Sequence, residues 1–203
     1  MLQHENLMLA SASSIRKQLL EAAGLRFDVE PADLDEEAIK QACLANDNDM
    51  RPGDIAQVLA QTKASVVSER HPDRLVIGSD QILVFEDRIL NKPPTKDDAL
   101  DQLIELRGKT HELVSAVAVS IGGEVLWSHE DVARLLMRDV SNSFLGAYLA
   151  EMGDKVTQSV GAYQLEALGV HLFEKVEGDY FTVLGLPLLP LLGFIRSRNQ
   201  KLV

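Results

Sequence analysis

The stretch from Leu75 to Pro93 constrains the fold more than any other part of this sequence. It opens with an apolar run that ends at a glycine, and Asp80 follows at the predicted end of that strand. A second apolar run reaches Phe85, turns through charged residues and returns, which predicts a hairpin whose far strand delivers Lys92. The carboxylate of Asp80 and the ammonium group of Lys92 are therefore expected on either side of one hairpin. Alternatively, Asp80 only stabilises a turn and Lys92 is solvated, because aspartate is common in turns.

A serine-rich loop precedes the first predicted helix. The loop ends at Ser14, and the helix covers about residues 15–23. Ser11 and Ser13 place hydroxyl groups beside the free N–H groups at the positive end of a helix, an arrangement that favours an anion. Arg16 lies in the first turn, where a cation opposes the helix dipole unless an anion binds between it and the loop. The alternative is that a serine only caps the helix and Arg16 is solvated.

Strands and helices alternate early in the chain, and a long hairpin follows later. A helix over about residues 54–68 carries Lys63 in its middle, and the long hairpin covers residues 111–137. This order predicts an α/β fold with a mixed sheet. An acidic run at residues 33–37 is either directed at a metal ion or is the solvated start of a helix. Residues 44–53 are polar and are predicted to form a loop.

The composition indicates a globular protein and excludes some partners. The 203 residues are 46% hydrophobic and 25% charged, which is enough for one domain with a sizeable core. The formal net charge of -11 argues against nucleic acid or an anionic membrane as a bulk partner, although a few local cations suffice for a small anion.

Cys43 is the one cysteine, so no disulfide forms within the chain. The single cysteine predicts a cytoplasmic setting. The N-terminal start is also expected not to be a signal peptide, and the apolar stretch from Val183 to Ile195 is expected to be too short to span a bilayer.

Short motifs along nearly the whole chain, from Leu7 to about Ile195, resemble those of the Maf-like nucleoside triphosphate pyrophosphatases. Each motif is weak alone, but all of them occur in order and at compatible spacing. The matching segments are Leu9-Ala10-Ser11-Ala12-Ser13-Ser14-Ile15-Arg16, Asp35-Glu36, Leu59-Ala60-Gln61-Thr62-Lys63-Ala64, Gly78-Ser79-Asp80-Gln81, Asn91-Lys92-Pro93, Gly108-Lys109-Thr110-His111 and residues 178–187.

The resemblance implies a single Maf-like domain over residues 1–203. Its mixed twisted sheet would form two lobes with a central cleft, similar to the Maf and inosine triphosphatase folds. The implied reaction is hydrolysis between the α and β phosphates of a nucleoside triphosphate, which gives a monophosphate and diphosphate. A triphosphate carries about three to four negative charges, so cations and a divalent metal ion must neutralise it. The residues expected to bind the phosphates are Ser11, Ser13, Arg16, Lys63 and Lys92.

Asp80 is the candidate catalytic residue. It acts either as the general base for water or as a ligand of the metal ion that activates the water, and the sequence does not separate these roles. Glu36 is the second candidate carboxylate for the metal ion. Oxygen ligands without a His–Cys cluster favour Mg²⁺ or Mn²⁺ over Zn²⁺. The histidines are expected in structural or solvated positions, because their spacing matches no metal motif.

Three positions bear on the choice of base: Ile15, Gln81 and Glu166. Gln81 together with Glu166 resembles the branch of the family that acts on 7-methyl-GTP, not the branch that acts on dTTP and UTP. A carboxylate near the Watson–Crick edge of guanine accepts hydrogen bonds from N1–H and N2–H, whereas an amide serves donor or acceptor edges. Ile15 matches neither branch. The alternative for Glu166 is a solvated carboxylate in a loop.

Two other functions stay open. One is a nucleotide-binding regulator of cell division with little turnover, in keeping with the association of the family with septum formation. The other is an enzyme of related chemistry that acts on a different nucleotide, such as a pyrimidine triphosphate. The expected partner is a nucleoside triphosphate substrate, and the resemblance also implies a homodimer.

Overall fold

The computed structural model of the protein describes residues 6–46 and 50–199. The expectation about a signal peptide concerns mainly residues 1–5, which lie outside the described residues, as does the centre of the predicted loop at residues 47–49. In chain order the helices and strands are β1 (Leu7–Leu9), α1 (Ser14–Ala22), β2 (Phe27–Val29), α2 (Glu36–Asn46), α3 (Pro52–Arg70), β3 (Leu75–Phe85), β4 (Arg88–Leu90), α4 (Lys96–Leu106), β5 (Thr110–Ile121), β6 (Glu124–Met137), α5 (Asn142–Met152), β7 (Phe173–Glu177), α6 (Tyr180–Val183) and α7 (Leu188–Asn199). Short 3₁₀ helices lie at Gly153–Thr157, Val160–Ala162 and Leu168–Leu172.

The strands form a mixed sheet, which confirms the predicted fold class. The seven-stranded sheet has the order β2-β1-β3-β5-β6-β7, and β4 pairs with β3. Strand β1 is parallel to both β2 and β3, whereas β4 on β3 and β7 on β6 are antiparallel. The parallel strands at the start of the chain are connected through helices, as parallel pairing requires.

Strand β3 corrects the expectation that Asp80 lies at the end of a strand. The strand continues unbroken for 11 residues from Leu75 to Phe85, so Asp80 lies in its interior. Gly78 allows this, because a Cβ there would lie 2.7 Å from the backbone nitrogen of Ala64 on α3. The helix therefore packs directly on the strand backbone at this point, since only glycine fits. This close approach brings Lys63, the neighbour of Ala64, next to Asp80.

The chain divides into two compact units. Unit 1 contains the residues up to Gln81, Ser115–Asp131 and the residues from Gly185 onward. Unit 2 contains Ile82–Val114 and Val132–Leu184. In the described part of the chain, no helix has the length and apolar character needed to cross a membrane.

Each unit has a hydrophobic core of its own. In unit 1, Met8 of β1 packs with Val67 of α3 and Val76 of β3. In unit 2, a larger cluster joins side chains of α4, α5 and the adjoining strands, including Leu103 and Leu145. These packed faces position the polar residues described below, because the helices that carry them are held by apolar burial.

His111 is a titratable group inside the core of unit 2. Its side chain is buried, and its Nε2 lies 2.7 Å from the hydroxyl oxygen of Tyr163. Its ring also contacts the ring of Phe173, with 5.9 Å between centroids. In the described residues its Nδ1 has no hydrogen-bond partner. Burial lowers the pKa of His111 from 6.5 to about 4, so the neutral ring is the folded form near neutral pH.

We expect His111 to make the fold less stable in acid. Because the pKa of His111 is lower in the folded chain than in the unfolded chain, the unfolded chain binds more protons between pH 6.5 and about 4. The free energy of unfolding should therefore fall through that window, by about 3 kcal/mol in total from this group. Urea unfolding at pH 7.5 and pH 4.5 measures the loss.

A neutral variant isolates the contribution of His111. His111→Gln keeps a polar partner for Tyr163 but does not titrate, so its free energy of unfolding should depend less on pH than that of the wild type. His129→Gln, at a half-buried histidine that stacks on Trp127, is the control. Equal pH dependence in the wild type and His111→Gln would contradict the prediction.

Candidate functional site

Lys63 joins two carboxylates in unit 1. Its Nζ lies 2.7 Å from Oδ1 of Asp80 and 2.8 Å from Oε1 of Glu36. The side chains of Lys63 and Asp80 are each 8% exposed, whereas that of Glu36 is 44% exposed. Buried charges need partners, so the ammonium group and the Asp80 carboxylate stabilise each other. The three groups carry a net charge of about -1 when all are ionised.

Glu36 reaches this cluster from the first turn of α2. The predicted acidic run thus includes a helix start, with Asp35 Oδ1 accepting a hydrogen bond of 2.9 Å from the backbone nitrogen of Ala38. An acidic side chain in a first turn is favoured by the helix dipole. Glu36 also forms an ion pair with Lys63. The acidic run therefore starts a helix, as one alternative stated, but Glu36 is also directed into the polar cluster, as a metal ligand would be.

Arg16 is held by acceptors from three parts of unit 1. Its Nε donates to the carbonyl oxygen of Gly185 at 2.8 Å. Its Nη1 donates to the carbonyl oxygen of Ser79 at 2.9 Å and to Oγ of Ser11 at 3.2 Å. Burial lowers the pKa of Arg16, and the charges of Asp80 and Glu36 oppose that shift, so the guanidinium group stays charged.

The hydrogen bonds of Arg16 restrict how it can bind an anion. Nε and Nη1 already donate to protein acceptors, and among the described residues no acceptor is seen for Nη2. A phosphate oxygen that avoids displacing these contacts would therefore meet Nη2. A phosphate that bound two nitrogens of the guanidinium group at once would have to displace one of the protein acceptors.

The serine loop has the geometry of a capped helix start. Ser13 Oγ accepts a hydrogen bond of 3.4 Å from the backbone nitrogen of Arg16, so Ser13 is the N-cap of α1. Ser11 Oγ accepts from the backbone nitrogen of Ser13 at 3.2 Å and also contacts Arg16. Ile15 lies half-buried in the first turn. The loop thus brings Ser11, Ser13 and Arg16 together at the N-terminus of a helix. Ser13 caps the helix, as the alternative stated, whereas Arg16 is bonded to protein acceptors and is not solvated.

Gly185 and Ser79 are site residues that reasoning from the sequence missed. The carbonyl oxygen of Gly185 accepts from Arg16 and lies 2.9 Å from Oγ of Ser79. Gly185 has a φ of +87°, and a Cβ there would lie 3.4 Å from Nη2 of Arg16 and 3.5 Å from the amide of Gln81. A side chain would be strained and would crowd both groups. The signal was present, because Gly185 and Ser79 both fall inside quoted family motifs.

Gln81 follows Asp80 on β3 and is anchored through its amide. Its Nε2 lies 3.0 Å from Oγ of Ser115, which is fully buried on β5. Ser115 was not singled out from the sequence, although a serine inside an apolar strand is a signal for a polar partner.

Lys92 and Glu166 belong to unit 2. Lys92 is exposed and directly precedes the buried Pro93 after β4. Glu166 is exposed in a turn between two 3₁₀ helices. Its exposed side chain agrees with the alternative of a solvated carboxylate in a loop, and its expected contact with the base of the nucleotide is not tested by this placement. The roles proposed for both residues stay predictions.

The carboxylate pair fits one mode of metal binding. In the described part of the chain, no cluster of three or more histidine, cysteine or acidic residues could hold a metal ion. Mg²⁺ usually keeps several waters and binds through one or two carboxylates together with substrate phosphates. Glu36 and Asp80, which share the Lys63 ammonium group, are donors of that kind. They fit a hard cation that arrives with a triphosphate, and not a cage made of protein ligands alone.

Comparison with known proteins identifies relatives over nearly the whole chain. Residues 6–198 match the family model described as Maf-like protein. A nucleoside triphosphate pyrophosphatase of Rhodopseudomonas palustris (strain ATCC BAA-98 / CGA009) is 52% identical over 193 residues, covering 95% of this chain and 94% of that protein. A 7-methyl-GTP pyrophosphatase of Brucella abortus biovar 1 is 46% identical over 193 residues, covering 95% of this chain and 96% of that protein. One of the same name from Rhizobium etli is 49% identical over 191 residues, covering 94% and 95%.

Proposed function

Because the chain belongs to the Maf-like protein family, we propose that it is a nucleoside triphosphate pyrophosphatase that cleaves 7-methyl-GTP between the α and β phosphates. The observation that carries the proposal is the polar cluster of unit 1, in which Lys63 joins Glu36 and Asp80 and the charges of both carboxylates act on Arg16. Acid anhydride hydrolysis at a triphosphate needs this combination of cations for the phosphates and carboxylates for metal and water.

We assign to Asp80 the role of general base for the attacking water molecule. Its Oδ1 is held by Lys63, and among the described residues Oδ2 has no such partner, so Oδ2 can take a proton from an attacking water. Lys63 thereby orients the base, which is what general-base catalysis requires. In the alternative role, Asp80 would hold a divalent metal ion together with Glu36, and that ion would neutralise charge and polarise the phosphoryl group.

The phosphates would lie against the serine loop and Arg16. Nη2 of Arg16 would donate to a phosphate oxygen. Nε and Nη1 would keep their hydrogen bonds to Gly185, Ser79 and Ser11. The N-terminus of α1 adds its dipole to the same attraction. Lys92 is proposed as a further phosphate-binding cation on the basis of the motif Asn91-Lys92-Pro93 alone.

The choice of nucleobase in the substrate is the finer part of the proposal. Gln81 and Glu166 match the branch that uses 7-methyl-GTP, and two relatives that carry this name are 46% and 49% identical to the chain. A carboxylate that accepts from both N1–H and N2–H of guanine gains one more hydrogen bond than uracil or thymine offers. The exposed position of Glu166 means that binding of the base must cover it for the full effect, because an exposed contact is weakened by solvent.

A screen of pyrophosphate release tests the function. The purified chain is incubated with 7-methyl-GTP, GTP, dTTP and UTP, each with Mg²⁺, Mn²⁺ or no divalent metal ion. We expect the highest kcat/KM for 7-methyl-GTP and no turnover without metal. Faster turnover of dTTP or UTP would favour the pyrimidine enzyme instead. Triphosphate binding without release of pyrophosphate would favour a regulator.

Glu166→Gln is expected to weaken discrimination between bases. The variant keeps the size of the side chain but loses the charge that strengthens the two hydrogen bonds to guanine. Loss of such a contact lowers kcat/KM for 7-methyl-GTP by about 10-fold, with a smaller effect on UTP. Steady-state kinetics on both substrates provides the measurement. Glu174→Gln, at an exposed position on β7, is the control. An equal loss on both substrates would remove Glu166 from base selection.

A further inference from the structure

The segment that carries Glu166 begins with two left-handed residues. Gly161 has a φ of +75° and Ala162 a φ of +60°. Glycine is required at the first position, because a Cβ there would lie 2.5 Å from the ring of Tyr163 and 2.7 Å from Cδ1 of Leu83. Ala162 has no such freedom, and an alanine in this conformation persists only where its surroundings hold it.

The hydroxyl group of Tyr148 is one of those surroundings. Tyr148 lies on α5 with 6% of its surface exposed, and its hydroxyl donates to the carbonyl oxygen of Ala162 at 3.2 Å. Burial raises the pKa of Tyr148, and a hydrogen bond from the backbone of Gln164 to the phenol oxygen partly opposes that rise. The charge of Glu166 adds to the rise, so this carboxylate lies within electrostatic range of the phenol. The hydroxyl group of Tyr148 therefore contacts the backbone of both chain neighbours of Tyr163, Ala162 and Gln164.

Gln164 transmits this anchoring to Glu166. The carbonyl oxygen of Gln164 accepts a hydrogen bond of 3.1 Å from the backbone nitrogen of Ala167. A Cβ on Gly169 would lie 2.8 Å from the carbonyl carbon of Gln164, so the chain also packs closely on its far side. Glu166 lies inside the turn closed by Gln164 and Ala167. A shift of Gln164 would consequently move the Glu166 carboxylate.

We propose that Tyr148 is a positioning residue for base selection, whose hydroxyl group holds the turn at Ala162–Gln164 and thereby sets where Glu166 meets the base. The inference rests on the proposed function, in particular on the role of Glu166. Tyr148 is not a catalytic residue, because its proposed effect passes through Glu166. Its ring packs in the apolar cluster of unit 2, where a phenylalanine ring would pack equally well, so the hydroxyl is the part that serves the turn.

Tyr148→Phe isolates the hydroxyl group. In the wild-type background we expect the ratio of kcat/KM for 7-methyl-GTP to that for UTP to fall by about 5- to 10-fold, the loss of one buried hydrogen-bond bridge. The change should appear mainly as a higher KM for 7-methyl-GTP, with kcat within about twofold, because the phosphate site of unit 1 is untouched. Tyr180→Phe, which removes a hydroxyl from a half-exposed tyrosine on α6, should leave the ratio unchanged.

The double variant Tyr148→Phe/Glu166→Gln separates positioning from general structure. If Tyr148 acts through Glu166, Tyr148→Phe no longer changes the substrate ratio once Glu166 is glutamine. The inference is overturned if Tyr148→Phe lowers kcat/KM for both substrates by one factor, or if it shifts the ratio equally in both backgrounds. A wild type that prefers dTTP or UTP would contradict the proposed substrate, and the comparison of the two backgrounds would still decide the role of Tyr148. Thermal unfolding confirms that each variant is folded at the assay temperature.

Discussion

Replacing Asp80 with asparagine is expected to lower kcat by about 100- to 10,000-fold, the usual contribution of a general base. Asparagine keeps the size of the side chain, and its amide oxygen can still accept a hydrogen bond from Lys63. It cannot take a proton from water, and it is a poor ligand for a hard cation. Lys63 retains its contact with Glu36, so the fold should survive. Pyrophosphate release together with thermal unfolding separates lost chemistry from lost structure.

Asp87→Asn is the matched control for this experiment. Asp87 lies exposed in the turn between β3 and β4 with a φ of +63°, a conformation that asparagine adopts readily. The same chemical change should therefore leave both activity and stability near those of the wild type. Near-normal pyrophosphate release by Asp80→Asn would remove Asp80 from catalysis.

Arg16→Lys is expected to lower kcat/KM by about 10- to 100-fold even though it conserves the charge. A lysine nitrogen cannot contact Gly185, Ser79 and a phosphate from the positions that the guanidinium group occupies, because these contacts use its separate nitrogens. Loss of the contact to the carbonyl oxygen of Gly185 would also loosen the turn beside Gln81. Steady-state kinetics with 7-methyl-GTP and with UTP measures the loss, which should be similar on both because the phosphates are common to them.

Lys17→Ala provides the comparison on the same helix. Lys17 is exposed, and its ion pair with Glu21 spans 3.8 Å on the surface of α1, where such pairs contribute little. It should retain the kinetics of the wild type. Full kcat/KM in Arg16→Lys would show that charge alone suffices at this position and that the hydrogen-bond geometry is dispensable.

Local patterns predicted most of the elements because they depend on neighbours in sequence. The serine loop before α1 and the hairpin at Phe85 follow from capping and turn chemistry. The position of Asp80 was predicted wrongly, because Gly78 suggested the end of a strand. Its actual cause, the close packing of α3 on that glycine, is a long-range contact that no local pattern contains.

The contacts within the candidate site were harder to predict than the residues that belong to it. The sequence motifs gathered Arg16, Lys63 and Asp80 into one site, but did not show that Lys63 pairs with Glu36 as well as Asp80. The carbonyl oxygen of Gly185 was missed because backbone acceptors have no residue-type signature. It lies 169 positions from Arg16 in sequence, so only the folded chain brings the two together.

Gly78 limits how this protein can be engineered. Replacing a glycine inside a strand is a common way to increase thermostability, since it reduces the conformational freedom of the unfolded chain. Here an added methyl group would meet the backbone of α3 at Ala64, not the movable end of a side chain. The helix would have to move away, and Lys63 would move with it from Asp80. A design for heat resistance at this position would thus lose activity, and stabilising substitutions are better sought on surfaces away from α3 and β3.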